Sequence, residues 1–479
     1  MNQDRTDIFE HHHTLTAVLR LGVPTIAGQI ILVLYNLADT FFIGLTESDA
    51  KLISVTVCLP AFMVLSAIAN LFGVGGASAI SRALGRQDEA RARQSSAFAV
   101  WGAALVTLLY CLIIWLLADP IVDLLGGAHR DVHGGAKTYL LVTVALGGFC
   151  TVGSSLLAHL IRSEGNAAIS GIGIILGGLL NIGLDPLFMF VLLPPGQEVL
   201  GAALATALSN LLSCFYFLLA LVWLRRRGSR LRFAADTHLL RNGVPREILG
   251  TGLSACLMTL FENISYAVLD NRMMRAGLAC QAGIGVAKKL NMLSHSVTRG
   301  MAQGVLPFLA YNYAARHYGR LKRALAWAAG ITVGLSLLNM GICLIWSSPL
   351  SALFLNDSGD SLGFGAHFLQ ILCLGAPFSA FSYIVISFFQ AVNRNGQAFS
   401  LAALRKGAVD IPMMLLLGYL FPIYGLVWAT PLADLICCIT AVLLFGVWFR
   451  QHRRENRLHQ LPPEPKAGEA ASQLHIHTN

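Results

Sequence analysis

Charged side chains are scarce in this sequence of 479 residues. Asp, Glu, Lys and Arg supply 12% of the chain, about half the share found in a typical soluble domain, whereas 55% of the residues are hydrophobic. So few charges cannot cover a water-facing surface of this size, which excludes an ordinary soluble enzyme, a coiled coil and a disordered chain. A polytopic membrane protein remains, because roughly 40 residues for each span and its loop leave room for about a dozen spans.

Several motifs that carry chemistry are also absent. The ten cysteines form no C-x-x-C pair and lie mostly in apolar runs, so we interpret them as small packing residues. Neither a Walker motif nor an H-E-x-x-H pattern occurs, so we predict no cofactor, no metal site and no ATPase or protease activity. The polar first fourteen residues do not resemble a cleavable signal peptide.

Twelve apolar segments are long enough to cross a bilayer as helices. They run over residues 15–43, 53–80, 97–117, 139–161, 167–193, 200–223, 248–274, 283–311, 324–346, 364–390, 398–421 and 425–449. We therefore predict an all-α polytopic membrane protein. Its parts are an N-terminal tail at 1–14, six helices in 15–223, a basic linker at 224–247, six helices in 248–449 and a disordered tail at 450–479.

The loop charges predict how the chain lies in the membrane. An even number of spans places both termini on one side, and seventeen loop Lys and Arg residues, Arg162 among them, fall on that side against five on the other. The positive-inside rule then predicts a cytoplasmic (inner) membrane protein with both termini in the cytoplasm. This bias also accounts for the net charge of +9 without a nucleic-acid partner.

Short sequence echoes indicate an internal repeat. Residues 162–170 resemble 392–400, and residues 200–210 resemble 424–434, at offsets of 230 and 224. A further pair of similar strings begins at Leu19 and at Leu240, with an offset of 221. This pairing would place Arg241 within a span, so we align Gly252 with Gly22 instead, at an offset of 230. The pattern predicts two six-helix lobes in the same orientation with a substrate cleft between them.

Six carboxylates fall within the predicted spans, where a charge costs several kcal/mol and marks a functional candidate. Asp39 lies one helical turn after Asn36. Asp185 lies one turn after Asn181 and directly before Pro186, which frees a backbone carbonyl to bind a proton donor, water or a cation. The alternatives are a solvated interface carboxylate for Asp39 and a cap of a kinked helix for Asp185.

Two carboxylates of the seventh span have structural alternatives. Glu262 lies near the middle of the span and is either a second protonation site or half of a buried ion pair with Lys288 or Lys289. Asp270 lies toward the outer end of the span, where we expect a local pair with Arg272.

The last two carboxylates are assigned to structure. Asp410 follows Arg405 and Lys406 by about one turn, which favours an i, i+4 ion pair. Asp434 corresponds to Asn210 in the repeat, and a structural role is as well supported as any other.

Five strings on consecutive parts of this plan resemble one known family. They are GVPTIAGQIILVLYNLADTFFIG, GVGGASAISRALGR, NIGLDPLFMF, LGAALAT and RGMAQGVLPFLAYNYAAR, and they resemble the multidrug and toxic compound extrusion (MATE) family. The resemblance covers about residues 15–450. It implies an antiporter of two six-helix lobes in which influx of protons or sodium drives export of small organic, often cationic, compounds.

The resemblance also implies which residues act. The cation-coupling residues would be Asp39, Asn181, Asp185, Thr206 and Glu262. The substrate-binding residues would be Tyr35, Asn36, Met189, Met258 and Gln303, and kinks are expected at Pro24, Pro186 and Pro307. Some sodium-coupled members also use an aspartate in the tenth span, but residues 364–390 contain no acid, which favours coupling in the first lobe.

A coupling mechanism follows as a hypothesis. Burial and like-charge repulsion would let Asp39 or Asp185 take up a proton near neutral pH. Protonation would let the first span bend at Pro24 or repack against the fifth, which would close the outward cleft or displace the substrate. Sodium is the alternative ion, since two carboxylates, an amide and a hydroxyl could coordinate it. We expect a monomer with the lipid bilayer as its surroundings.

Two other functions stay open on the sequence. A lipid-linked precursor flippase of related plan would need cations in its cleft to hold a pyrophosphate, and Lys288, Lys289 and Arg299 could supply them. An integral-membrane transferase would need an acidic metal-binding cluster of D-x-x-D type at a membrane surface, and we assign none.

Overall fold

The computed structural model describes residues 7–46, 48–127, 129–234, 243–355 and 360–458, and these residues form helices and connecting turns without a strand. Twelve helical spans follow one another in the predicted order. Spans 1–6 are Thr14–Gly44, Asp49–Gly85, Glu89–Leu116, Arg130–Leu140 with Leu141–Leu146 and Gly148–Ser163, Ala167–Pro186 with Leu187–Leu192, and Glu198–Arg226. Spans 7–12 are Val244–Ala276, Leu278–Ala314, Tyr318–Ile345, Asp360–Leu374 with Ala376–Ala391, Asn395–Ala403 with Leu404–Ala408 and Asp410–Leu420, and Tyr424–Leu458.

The twelve-helix prediction is confirmed, although the helices extend beyond most predicted ends. Eight of the described helices are long and apolar enough to cross a membrane alone, and the bent pairs of spans 4 and 10 bring the number to ten. Spans 8 and 11 are the two that are not included in this number. Short helices at Asp7–Glu10, Ala118–Leu124 and Ser347–Ala352 lie outside the twelve.

Breaks in spans 4, 10 and 11 were not predicted, whereas an irregularity of span 5 at Pro186 was. Span 4 bends by 48° and span 10 by 42°, and a glycine, Gly147 or Gly375, lies at each bend. Spans 4, 5 and 11 also contain π-helical turns at Leu141–Leu146, Leu187–Leu192 and Leu404–Ala408. Such turns re-aim side chains within a helix and are frequent at functional sites.

Close helix crossings join the two halves and display the repeat. A Cβ atom on Gly252 of span 7 would lie 1.7 Å from the backbone oxygen of Leu71 in span 2, and one on Gly22 of span 1 would lie 2.6 Å from the sulfur of Met301 in span 8. The two contacts are related by the repeat: Gly252 lies 230 positions after Gly22, and Met301 lies 230 positions after Leu71. Gly252 therefore stands opposite Gly22, as predicted.

The two segments predicted as a cytoplasmic tail and a cytoplasmic linker are partly packed against helices. Phe9 is fully buried and its ring stacks on Tyr311, while Arg320 donates to the backbone oxygens of Phe9 and His12 at 3.1 and 2.8 Å. In the linker, Leu231 is fully buried. Residues 235–242 lie outside the described residues.

The C-terminal tail prediction needs one correction. Its predicted start at Arg450 lies within a helix that continues to Leu458, and residues 459–479 lie outside the described residues. Residues 439–458 form a unit of their own, in which the ring of Phe445 stacks on Trp448.

Candidate functional site

Three of the predicted coupling residues meet inside the first half. Asn181 and Asp185 lie one turn apart on span 5, and the Asn181 side-chain amide donates to the Asp185 carboxylate at 3.4 Å and to the Thr206 hydroxyl of span 6 at 3.3 Å. Asp185 is fully buried and Asn181 is 2% exposed. The spacing of four residues places both side chains on one helix face, as the sequence predicted.

Unpaired oxygen atoms are the distinguishing property of this cluster. Asp39 Oδ1, Asn181 Oδ1 and Asp185 Oδ2 are buried and have no hydrogen-bond partner. Asp39 lies one turn after Tyr35 on span 1, and Tyr35 lines a cavity together with Asn181 and Thr206. Buried acceptors without partners are costly and rare in folded proteins. Three in one place can hold a proton or a hard cation.

The local sequence explains how span 5 presents Asp185. Pro186 lacks an N–H, so the carbonyl of Ile182 receives no helical donor from that position. The following residues, Leu187–Leu192, continue as a π-helical turn. The predicted irregularity at Pro186 is therefore present, whereas Pro24 and Pro307 lie inside continuous helices.

The second half contains a corresponding cluster with a cation built in. Lys406 and Asp410 occur 225 positions after Asn181 and Asp185, and the lysine ammonium lies 3.4 Å from Asp410 Oδ2. Asp410 also accepts from the hydroxyls of Ser265 at 2.5 Å and Thr430 at 3.1 Å. The predicted i, i+4 pair of Asp410 is thus present.

Arg405 lies beside a second buried aspartate of that half, Asp434. Its Nε lies 3.2 Å from Asp434 Oδ1, although the two atoms lack hydrogen-bond geometry, and its guanidinium lies 4.1 Å over the Tyr383 ring. Both charged side chains are almost completely buried. The contact is consistent with the structural role that the sequence allowed for Asp434.

Two predicted ion pairs have different partners. Glu262 does not contact Lys288 or Lys289 and instead accepts from Arg299 of span 8 at 2.6 Å. Asp270 pairs with Lys288 rather than with Arg272. The sequence predicted a structural pair for Glu262 as one alternative but missed the partner, because the packing of span 8 against span 7 decides which of its cations reaches Glu262.

Two adjoining cavities lie between the halves. The larger, of about 1210 Å³, is lined by side chains from spans 1, 2, 4, 5, 7 and 8, including Tyr35, Asn36 and Gln303. The smaller, of about 640 Å³, is lined by Met258 and again by Gln303. Four of the five predicted substrate residues therefore line a cavity. Met189 is 2% exposed, lies in the apolar core beside Gly201 and lines neither one.

A third cavity shares lining residues with the larger central cavity. It has a volume of about 450 Å³ and is lined by Asn181, Thr206 and several serines of spans 4 and 6. Tyr35 lines both this cavity and the larger central one. An ion at the cluster and a substrate in the centre would therefore be close to the same segment of span 1.

The sequence reasoning missed several residues of the cavity wall. Arg162, counted there as a loop residue, is 1% exposed and lines both central cavities beside His159. His295 lines the larger cavity and contacts Asn291 at 3.2 Å. The available signals were histidines inside two predicted spans and an arginine at the end of one of them.

The fold and its cavities define a polytopic membrane transporter. A family model described as MatE matches residues 24–187 and 254–416, which together exceed half of the chain. The chain therefore belongs to the multidrug and toxic compound extrusion (MATE) family and is a transporter rather than an enzyme. The family model matches once in each half, in agreement with the internal repeat.

Curated relatives extend over nearly the whole chain. The multidrug export protein MepA of Staphylococcus saprophyticus is 26% identical over 444 residues, which cover 93% of this chain and 96% of that protein. MepA of Staphylococcus aureus is also 26% identical, over 448 residues and the same shares of both chains.

Solved structures share the fold. A MATE protein in its straight conformation has a TM-score of 0.85 at 22% identity and covers 95% of this chain, and the bent conformation has a TM-score of 0.81. An outward-facing MATE family multidrug resistance transporter of the MOP superfamily has a TM-score of 0.84 at 23% identity.

The transferase alternative lacks a metal site in the described part of the chain. D-x-x-D spacing does occur at Asp4–Asp7 and at Asp357–Asp360, but Asp4 and Asp357 lie outside the described residues. Among the described residues, no three His, Cys, Asp or Glu side chains are grouped to hold a metal ion.

Proposed function

We propose that this protein is a cation-coupled antiporter that exports small organic compounds. Multidrug export is what the names of its MepA relatives state for those proteins. Influx of protons or sodium would drive export by alternating access. The observation that carries the proposal is the group of three buried, unpartnered oxygens on Asp39, Asn181 and Asp185, beside a cavity that adjoins the central one.

The coupling would act through span 1. Asp39, Asn36 and Tyr35 all lie on this helix, and Tyr35 lines both the coupling cavity and the larger central cavity. A proton or sodium ion on the Asp39–Asp185 pair would change how span 1 packs against span 5 and so change the substrate site. Linkage then makes the effect reciprocal, because substrate binding must weaken ion binding by the same factor.

Alternating access requires a contact between the halves that can open. Ser78 and Arg82 at the end of span 2 donate to the backbone oxygen of Gln390 at 2.8 and 3.0 Å, and Arg82 also pairs with Glu247. These contacts lie at the predicted cytoplasmic end and would close it. Access from the cytoplasm would then require that span 2 separates from span 10.

We place both termini in the cytoplasm on the loop charge bias, in a cytoplasmic (inner) membrane, with a monomer as the working unit. The expected preference for cationic substrates is the part that the cavity supports least. Among the described residues that line the two central cavities, Glu262 is the one with an acidic side chain. Arg299 already pairs with it, so its charge is not free to bind a cationic substrate.

The flippase alternative loses part of its support from the same contacts. Lys288 is paired with Asp270 and Arg299 with Glu262, so two of its three predicted pyrophosphate ligands already have anionic partners. Lys289 does not line either central cavity.

The test is transport by the full chain in proteoliposomes under a proton gradient or a sodium gradient, imposed separately. The probes are ethidium and fluorescein, which have opposite charges. We expect export of at least one probe under one gradient and its loss in Asp185→Asn. A matched control is the double variant Lys406→Gln, Asp410→Asn, which neutralises the corresponding pair and should retain export. Undiminished ion-driven export by Asp185→Asn would refute the assignment.

A further inference from the structure

We infer that the central cavity binds an anionic group of its substrate, a carboxylate or a phosphate, at the guanidinium of Arg162. The inference rests on the proposed function in so far as the cavity is taken as the substrate site. It concerns the chemistry of the ligand and is independent of the coupling ion.

Arg162 is a buried cation with free donors. It is 1% exposed, and its Nη2 donates to the Ser170 hydroxyl at 3.0 Å, while Nε and Nη1 are buried without a hydrogen-bond partner. Ser170 in turn donates to the backbone oxygen of Ala158. A guanidinium stays protonated in proteins, so it cannot lose its charge to relieve burial.

No described carboxylate of the cavity is available to balance this charge. Arg162, Arg299 and Glu262 are the acidic and basic side chains, apart from the histidines, that line the two described cavities. Glu262 is already held by Arg299 at 2.6 Å. One guanidinium is thus left over in the wall, which is the reverse of what a cation-binding cavity requires.

The local structure holds Arg162 in this position. It lies in the last turn of the bent span 4, and a Cβ on Gly73 of span 2 would come within 2.7 Å of the neighbouring His159 ring. The packed His159 restricts this turn of the helix. A buried unpaired cation costs several kcal/mol, and an anionic ligand is the compensation that the described protein atoms do not supply.

The rest of the wall suits an amphipathic organic anion. Gln303, Gln390 and Tyr383 offer polar groups in the smaller cavity, and Ala255, Met258 and Leu306 provide an apolar side. The anionic end would lie at Arg162 and the apolar body between spans 7 and 8.

The inference is tested by direct binding to the purified full-length protein in detergent, without any ion gradient. The probes are fluorescein for the carboxylate, geranyl phosphate for the phosphate and ethidium as the cationic reference. Loss of a charge-assisted contact should raise the Kd of an anionic probe about ten- to a hundredfold in Arg162→Gln. Ethidium binding should stay the same or become tighter.

Two further variants separate a binding role from a structural one. Arg86→Gln removes an exposed arginine after span 2 and should change neither affinity. Arg162→Lys keeps the charge and should weaken the anionic probe less than Arg162→Gln does, so the test remains decisive if the glutamine variant does not fold. Comparing fluorescein with geranyl phosphate identifies which oxyanion is preferred.

Equal weakening of ethidium and the anionic probes, or failure of both anionic probes to bind the wild-type protein, would overturn the inference. Neither result would affect the proposed antiport, since no gradient enters the measurement. Conversely, selective loss of anion binding would support the inference even if Asp185→Asn still exported substrate.

Discussion

The two halves of the molecule place carboxylates at corresponding positions but balance their charge differently. In the first half, Asp185 contacts the amide of Asn181, and the cluster has three buried oxygens without partners. In the second half, Asp410 contacts the ammonium of Lys406 at the same spacing of four residues. The first cluster lacks a described cation, whereas the second contains one as part of the chain.

This difference separates a carboxylate that can exchange ions from one that cannot. Lys406 occupies the position in the second half that Asn181 occupies in the first. Its ammonium already neutralises Asp410, so a mobile cation gains little by binding there. Removing one member of a buried pair strands the other at a cost of several kcal/mol. Removing an unpaired carboxylate strands nothing. The comparison can therefore be tested through stability, and the largest effects should occur in the second half.

The largest destabilisation is expected for Asp410→Asn, which leaves the buried Lys406 without a carboxylate. We expect a decrease of about 3–5 kcal/mol in the free energy of unfolding, seen as a lower Tm in detergent. The double variant Lys406→Gln, Asp410→Asn should recover most of the loss. A single variant that melts with the wild-type protein would contradict the view of this pair as structural.

Glu262→Gln should have the next largest effect, because it strands Arg299. The arginine side chain is 34% exposed, so water screens it in part and we expect about 1–3 kcal/mol of destabilisation. The matched double variant Glu262→Gln, Arg299→Gln should melt close to the wild-type protein. If Glu262 were instead a protonation site that couples ion flow to export, Glu262→Gln would lose the ion dependence of transport without losing stability.

A smaller effect is expected for Lys288→Met at the edge of the same half. Its partner Asp270 is 38% exposed, and exposed pairs contribute less than about 1 kcal/mol. Thermal unfolding in detergent at low and high salt should show little difference between this variant and the wild type. A decrease in stability as large as that of Asp410→Asn would mean that the burial of an ion pair does not determine how much its removal destabilises the protein.

The smallest change in stability is expected for Asp185→Asn in the first half. Since the carboxylate has no cationic partner to strand, the unfolding free energy should change by less than about 0.5 kcal/mol or rise, as a buried charge is removed. The same variant should lose any rise in Tm that added sodium or a change of pH gives the wild type. Strong destabilisation would show that Asp185 is structural like Asp410.

Much of the fold could be predicted because local patterns determine it. Apolar stretches of about 20 residues identified the helices, and the spacing from Asn181 to Asp185 placed both side chains on one face. The bends at Gly147 and Gly375 and the π-helical turns of spans 4 and 11 could not be predicted, because they depend on how neighbouring helices pack against each span.

The charges show where sequence reasoning ends. Composition alone determined that this is a membrane protein, and the order of its motifs determined a twelve-helix transporter plan. Which carboxylate is paired was decided by the tertiary structure, since Arg299 reaches Glu262 from another helix and Arg162 is carried from a predicted loop into the cavity wall. The physical reason is that hydropathy is a property of each segment, whereas charge balance depends on which side chains meet across helices.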